Sequence, residues 1–176
     1  MADFKTVFEL VEGDSAFIDH VVTEAHLPLF AAATGDVNPI HFDIPYAEGT
    51  FFRGRIAHGM LCGGFISAVV ANRLPGLGTV YVSQEIRFLA PVKIGDTIRA
   101  EVVVLGIDRD KNRVRLGTKC TNQAGTVVVE GEAVVSPAKK PPPADVADAM
   151  GERALSLDAR LAAAVSAFET AFNAKC

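Results

Sequence analysis

Asp36 and His41 stand five positions apart in the run TGDVNPIHFD, residues 34–43, with Asn38-Pro39 between them. A carboxylate beside an imidazole is equipment for general acid–base chemistry, because a histidine exchanges its proton near neutral pH and a carboxylate orients or complements it. Pro39 fixes its own φ and pushes Asn38 towards an extended conformation, so the segment bends and can aim both side chains into one space. Spacing alone also fits a solvated polar loop, and both readings stay open at this point. A second stretch, Ala57-His58-Gly59-Met60, lies at the start of an apolar helical segment. A helix N-terminus leaves N–H groups free and carries a partial positive charge, and Gly59 has no side chain to shield them. That arrangement suits an oxyanion hole for a thioester carbonyl or an enolate; a tight entry into a buried helix is the plain structural alternative.

The other polar residues carry less. His58 reads as a capping or packing residue, with a third catalytic histidine as the alternative. Ser67 lies eight residues beyond Gly59, roughly on the same helix face after two turns. It lacks a G-x-S-x-G context, so it reads as a hydroxyl bonding within the site or as a small core residue rather than a nucleophile. His20 and His26 have no ligand-like spacing, and Asp43 and Glu48 read as exposed. With no glycine-rich phosphate loop and no metal constellation, neither a metal nor a cofactor is expected.

The elements that must position these residues follow from patterning. Residues 16–22 read as a short strand. Thr23 resembles an N-cap for a helix over 23–34, with Glu24 in its first turn, Pro28 straining it or delaying its start, and Gly35 ending it. A short helix and loop follow the TGDVNPIHFD loop. Residues 58–74 are apolar on every side of the helical wheel, which marks a helix buried on most of its circumference. Gly63 and Gly64 cost that helix roughly 1 kcal/mol each relative to alanine, a cost that makes sense if a backbone or a ligand passes close by. Four strand-like segments follow at 79–89, 97–108, 113–122 and 126–135. In the third, Val114, Leu116, Thr118 and Cys120 alternate with Arg113, Arg115 and Lys119. Turn chemistry in DRDKN and NQAG points to hairpins. The sum is an α+β fold, an antiparallel sheet wrapped around a buried helix.

Bulk properties bound the partners. A chain of 176 residues that is 49% hydrophobic can build one real core, resting on aliphatic side chains because it has no Trp and only two Tyr. A net charge of −4 and no long basic run argue against nucleic acid. The absence of a signal-like start or an apolar run near 18 residues argues against export and a membrane span. Cys62, Cys120 and Cys176 are an odd set without C-x-x-C spacing, which fits a cytoplasmic protein rather than a zinc site or a disulfide framework.

Taken together, TGDVNPIHFD, RIAHGMLCGGFIS and LPGLGTVYVSQEIRFLAPVKIGDTI resemble the MaoC-like, (R)-specific enoyl-CoA hydratase (hydratase 2) family over roughly residues 5–137. The resemblance implies a hot-dog fold, usually assembled as dimers or paired units. It implies reversible addition of water to a trans-2-enoyl-CoA, giving an (R)-3-hydroxyacyl-CoA. Asp36 and His41 match the family's catalytic pair, Gly59 the residue whose N–H polarises the thioester carbonyl, and Ser67 and Asn38 residues that support the site. Short bacterial hydratases that feed polyhydroxyalkanoate synthesis are similar, as are MaoC-like domains that precede a phosphate acyltransferase. The competing readings are a hot-dog acyl-CoA thioesterase and a non-catalytic acyl-CoA-binding or assembly module.

Residues 1–137 are thus expected to form the hydratase domain, and 138–176 a Pro-rich linker with an Ala-rich helix. Leu155, Leu157, Leu161, Val165, Phe168 and Phe172 give that helix one apolar face. It would pack on its own domain or dimer mate, or dock on another protein.

Overall fold

A computed structural model of the chain describes residues 4–143. The elements run β1 (Ser15–Val21), α1 (His26–Thr34), α2 (Pro39–Phe42), α3 (Ile44–Glu48), α4 (Gly59–Asn72), β2 (Val80–Phe88), β3 (Thr97–Asp108), β4 (Arg113–Asn122) and β5 (Val127–Ser136). The five strands form one antiparallel sheet in the order β1-β3-β4-β5-β2. Helix α4 lies across β1, β2, β3 and β4. This sheet around a central helix is the hot-dog fold. The expected helix within 145–174 falls outside the described residues.

Alternation in the strands makes the core. Ile98, Ala100, Val102 and Val104 of β3 and Val114, Leu116 and Cys120 of β4 face inwards and are buried against Cys62, Phe65, Ile66, Val69 and Val70 of α4. Thr118 shares that face, and its hydroxyl accepts a hydrogen bond from Gln84 Nε2 at 3.2 Å. Such pairing removes the penalty of a buried hydroxyl. No helix among the described residues is long and apolar enough to cross a membrane.

Three local expectations need correction. Helix α1 begins at His26 rather than Thr23, which leaves Pro28 in the first turn where a missing N–H costs nothing. Thr23 does not cap it: its N–H donates to His26 Nδ1 at 3.0 Å, while Glu24 pairs with Arg55 instead of serving the helix dipole. The TGDVNPIHFD segment is not all loop, because residues 39–42 close one helical turn. Gly64 answers to no close neighbour: with Met60 and Ala71 it forms an exposed strip of α4, and a Cβ there would meet nothing within 4 Å. Gly35 does end α1, in the left-handed conformation at φ 80°.

The pairing of β5 with β2 leans on one glycine. Gly131 sits where β5 meets β2, and a Cβ there would lie 2.0 Å from the Glu85 carbonyl oxygen and 3.1 Å from Ile86 Cα. Only a residue without a side chain lets the two backbones approach so closely. Gly131→Ala is expected to destabilise the fold by at least about 2 kcal/mol, because backbone must move to make room. A chemical-denaturation midpoint equal to that of the parent chain would contradict this.

Candidate active site

The segment ahead of α4 is assembled by a chain of short-range hydrogen bonds. Thr34 Oγ1 accepts from Asp36 N–H at 3.3 Å, Asp36 Oδ1 from Asn38 N–H at 3.2 Å, and Asn38 Oδ1 from Ile40 N–H at 3.2 Å. Asn38 therefore caps α2, with Pro39 at the first helical position. One turn of helix then carries His41 inwards, to 7% exposure, while Asp36 stays exposed.

His41 Nδ1 lies 2.8 Å from the Ile56 carbonyl oxygen. A carbonyl only accepts, so Nδ1 carries the hydrogen and the neutral ring keeps its free lone pair on Nε2. Ile56 is itself held in place, because Ala57 N–H donates to the Val92 carbonyl at 2.8 Å and the Arg55–Glu24 pair anchors the residue before it.

His58 ties the two segments together. Its Nε2–H donates to the backbone carbonyl of Asp36 at 3.1 Å, and its ring lies on His41 with centroids 3.8 Å apart and Phe30 at 4.7 Å. It precedes the first residue of α4 without capping it through its side chain. Its Nδ1 is buried without a partner, and burial pushes its pKa below the ordinary histidine value, aided by the neighbouring His41 and opposed by Asp36. A buried, neutral packing residue is the role this describes.

Asp36, His41 and His58 offer ligating atoms within 4.8 Å of one another. The donor set resembles a metal site. However, one nitrogen of each ring is already committed, His41 Nδ1 to the Ile56 carbonyl and His58 Nε2 to the Asp36 carbonyl. The cluster is better arranged for handling protons than for holding an ion.

Two cavities meet at Gly59. One, of about 310 Å³, is apolar and lined by His41, Phe52, Ala57, Cys62, Val92 and Val129 among others. The second is a cleft of about 620 Å³ lined by Phe30, Thr34, Asp36, His58, Gly59, Met60 and Phe88. Gly59 and Phe88 belong to both. A Cβ on Gly59 would lie 2.9 Å from Phe88 Cε1 and 3.0 Å from Cδ1, so the ring packs directly on the helix N-terminus. Ser67 lines neither cavity; it sits two turns along α4, half-buried, on the side of the exposed Met60–Gly64–Ala71 strip. The structure thus gathers Asp36, His41 and Gly59 at one place and leaves Ser67 apart from them. Phe88 is the residue whose part the sequence does not announce, whereas the packing reading of His58 agrees with its place here.

The model of the MaoC-like domain matches residues 10–127. The chain belongs to the MaoC-like family. It is 50% identical to an (R)-specific enoyl-CoA hydratase of Rhodospirillum rubrum over 127 residues, covering 72% of this chain and 88% of that one. A second (R)-specific enoyl-CoA hydratase, from Aeromonas caviae, is 38% identical over 70% of this chain and 92% of its own length. Among solved structures, the unliganded R-hydratase PhaJ1 of Pseudomonas aeruginosa superposes with a TM-score of 0.71 at 45% identity, over 79% of this chain and 95% of that one.

A second imidazole behaves like His58. His20 of β1 stacks on Phe65 at 4.2 Å, and burial again lowers its pKa. For both groups the unfolded chain takes up protons at a higher pH than the folded chain does. Their contribution is fully present above about pH 6.5 and is lost as the pH falls towards the folded values. The thermal midpoint is therefore expected to fall between pH 7.5 and 5.5, and His20→Phe to flatten that slope. A midpoint constant across this window would contradict the assignment.

Proposed function

We propose that the chain is an (R)-specific enoyl-CoA hydratase, a hydro-lyase that adds water reversibly to a trans-2-enoyl-CoA to give an (R)-3-hydroxyacyl-CoA. The observation that carries this reading is the convergence of the Asp36 carboxylate and the His41 imidazole beside the Gly59 end of α4, at the mouth of an apolar cavity. The acyl chain lies in that cavity. The thioester oxygen receives the Gly59 N–H, which makes C3 electrophilic and stabilises the enolate-like charge that develops. Water is held between Asp36 and His41 Nε2. Its oxygen adds to C3, its proton passes to Nε2, and the imidazolium, stabilised by Asp36, returns that proton to C2. The free lone pair on Nε2, set by the Ile56 carbonyl, supports this division of roles.

Asn38 holds the turn in this scheme, and Ser67 supports the helix at a distance. Activity resides in residues 1–137, with 138–176 an appendage. The work takes place in the cytoplasm, where thiols such as the free Cys62 and Cys120 persist. The product class is suited to fatty-acid or polyhydroxyalkanoate metabolism.

The active form is a homodimer. Among the described residues β2 is an edge strand, paired with β5 on one side only; its Val80, Val82 and Phe88 are each at least 50% exposed, and Met60 on the open strip of α4 is 52% exposed. A long apolar edge of this kind calls for a partner strand, and a second copy supplies one with the same exposed residues.

Asp36→Asn and His41→Gln are each expected to lower kcat/KM for crotonyl-CoA hydration by about 10² to 10⁴ with little change in the thermal midpoint. Turnover near that of the parent in either variant would sink the assignment. Light scattering is expected to report twice the 18.6 kDa of one chain. Met60→Lys with Val82→Lys should shift it to a single chain, and a monomeric parent would remove the dimer from the scheme.

A further inference from the structure

The acyl cavity holds a nucleophile that the hydration scheme does not use. Cys62 lies on α4 three residues after Gly59, about 4.5 Å further along the helix axis. It is 2% exposed to bulk solvent yet forms part of the wall of the 310 Å³ cavity, which it shares with His41 and Gly59. It is also one of a pair. Cys120 of β4 is fully buried behind it, and its thiol donates to the Cys62 carbonyl oxygen at 3.8 Å. The cavity is open at Phe51, which is 93% exposed, and at Leu89.

We propose that Cys62 is a covalent-modification site within the acyl cavity, taking α,β-unsaturated carbonyl compounds at its sulfur. The sulfur adds to the β-carbon and forms a thioether bond. The alkene electrons move towards the carbonyl, and the proton lost from sulfur ends on the α-carbon. Atoms and electrons balance without an oxidant or a second reagent. Position favours Cys62 over Cys120: only Cys62 reaches the cavity, while the Cys120 thiol is buried and donates to the Cys62 carbonyl oxygen. The thiolate is the attacking form. The Gly59 N–H, one turn away, is available to the carbonyl oxygen during this addition as it is during hydration.

The test uses the native full chain and N-ethylmaleimide, with peptide mass analysis after quenching. Labelling at Cys62 is expected at least tenfold faster than at Cys120, with the adduct on that peptide lost in Cys62→Ser. No label on Cys62 in the native chain, when both thiols label in guanidinium, would overturn the proposal. Equal rates at Cys62 and Cys120 would overturn it too, because they would report unfolding instead of entry through the cavity. The inference leans on the hydratase reading only for the identity of the natural occupant, and a butyryl-CoA arm separates the two. Protection of Cys62 by this saturated thioester supports both. Rapid, selective labelling without protection leaves the modification site standing and counts against acyl-CoA as the occupant.

Discussion

The hydrogen bond from His58 Nε2 to the Asp36 carbonyl, 3.1 Å long, joins the one-turn helix that carries His41 to the entry of the central helix. It ties the exposed segment that carries Asp36 to the helix that begins at Gly59. With it, the His58 ring fills the space under His41 and fixes that ring from below while Ile56 fixes it from the side. The cost is an imidazole held neutral, with one nitrogen left without a partner in a buried setting. Sites that concentrate polar groups in this way draw on stability provided elsewhere.

That stability comes from the sheet. Aliphatic residues alternating along β3, β4 and β5 clamp one face of α4, so the helix N-terminus is presented at a fixed height above the strands. Close approach of backbones at Gly131 lets β2 pair with β5, and the last residue of β2, Phe88, lies against Gly59. Two glycines far apart in sequence thus serve one geometry, the first by letting strands meet and the second by letting a ring lie on bare backbone.

Much of this was legible in the residues. The bounds of β3 and β4 follow from two-residue alternation and agree with the structure, and those of β2 and β5 lie within a residue. Gly35 ends its helix because its backbone conformation suits glycine and few other residues. The Asp36–His41 pairing and the Gly59 position were visible as motifs, but the reason they meet was not. It depends on His58 reaching a backbone carbonyl 22 residues earlier, and no local propensity encodes such a contact. The start of α1 was misplaced because Thr23 has a stronger competitor for its polar groups in His26 than the helix end. The apolar circumference of α4 predicts burial on most sides and does not single out the strip that is surface in the single chain. Sequence records that a residue must be apolar and does not record which molecule covers it.

Phe88 is the last residue of a sheet-edge strand, and its ring forms the wall common to the apolar cavity and the carboxylate cleft. A residue in that position answers to two masters. Its backbone is held in the ladder opposite Val129 of β5, and its side chain stands between the two chambers. Changes in the edge can therefore retune which molecules are admitted while every core residue stays as it is.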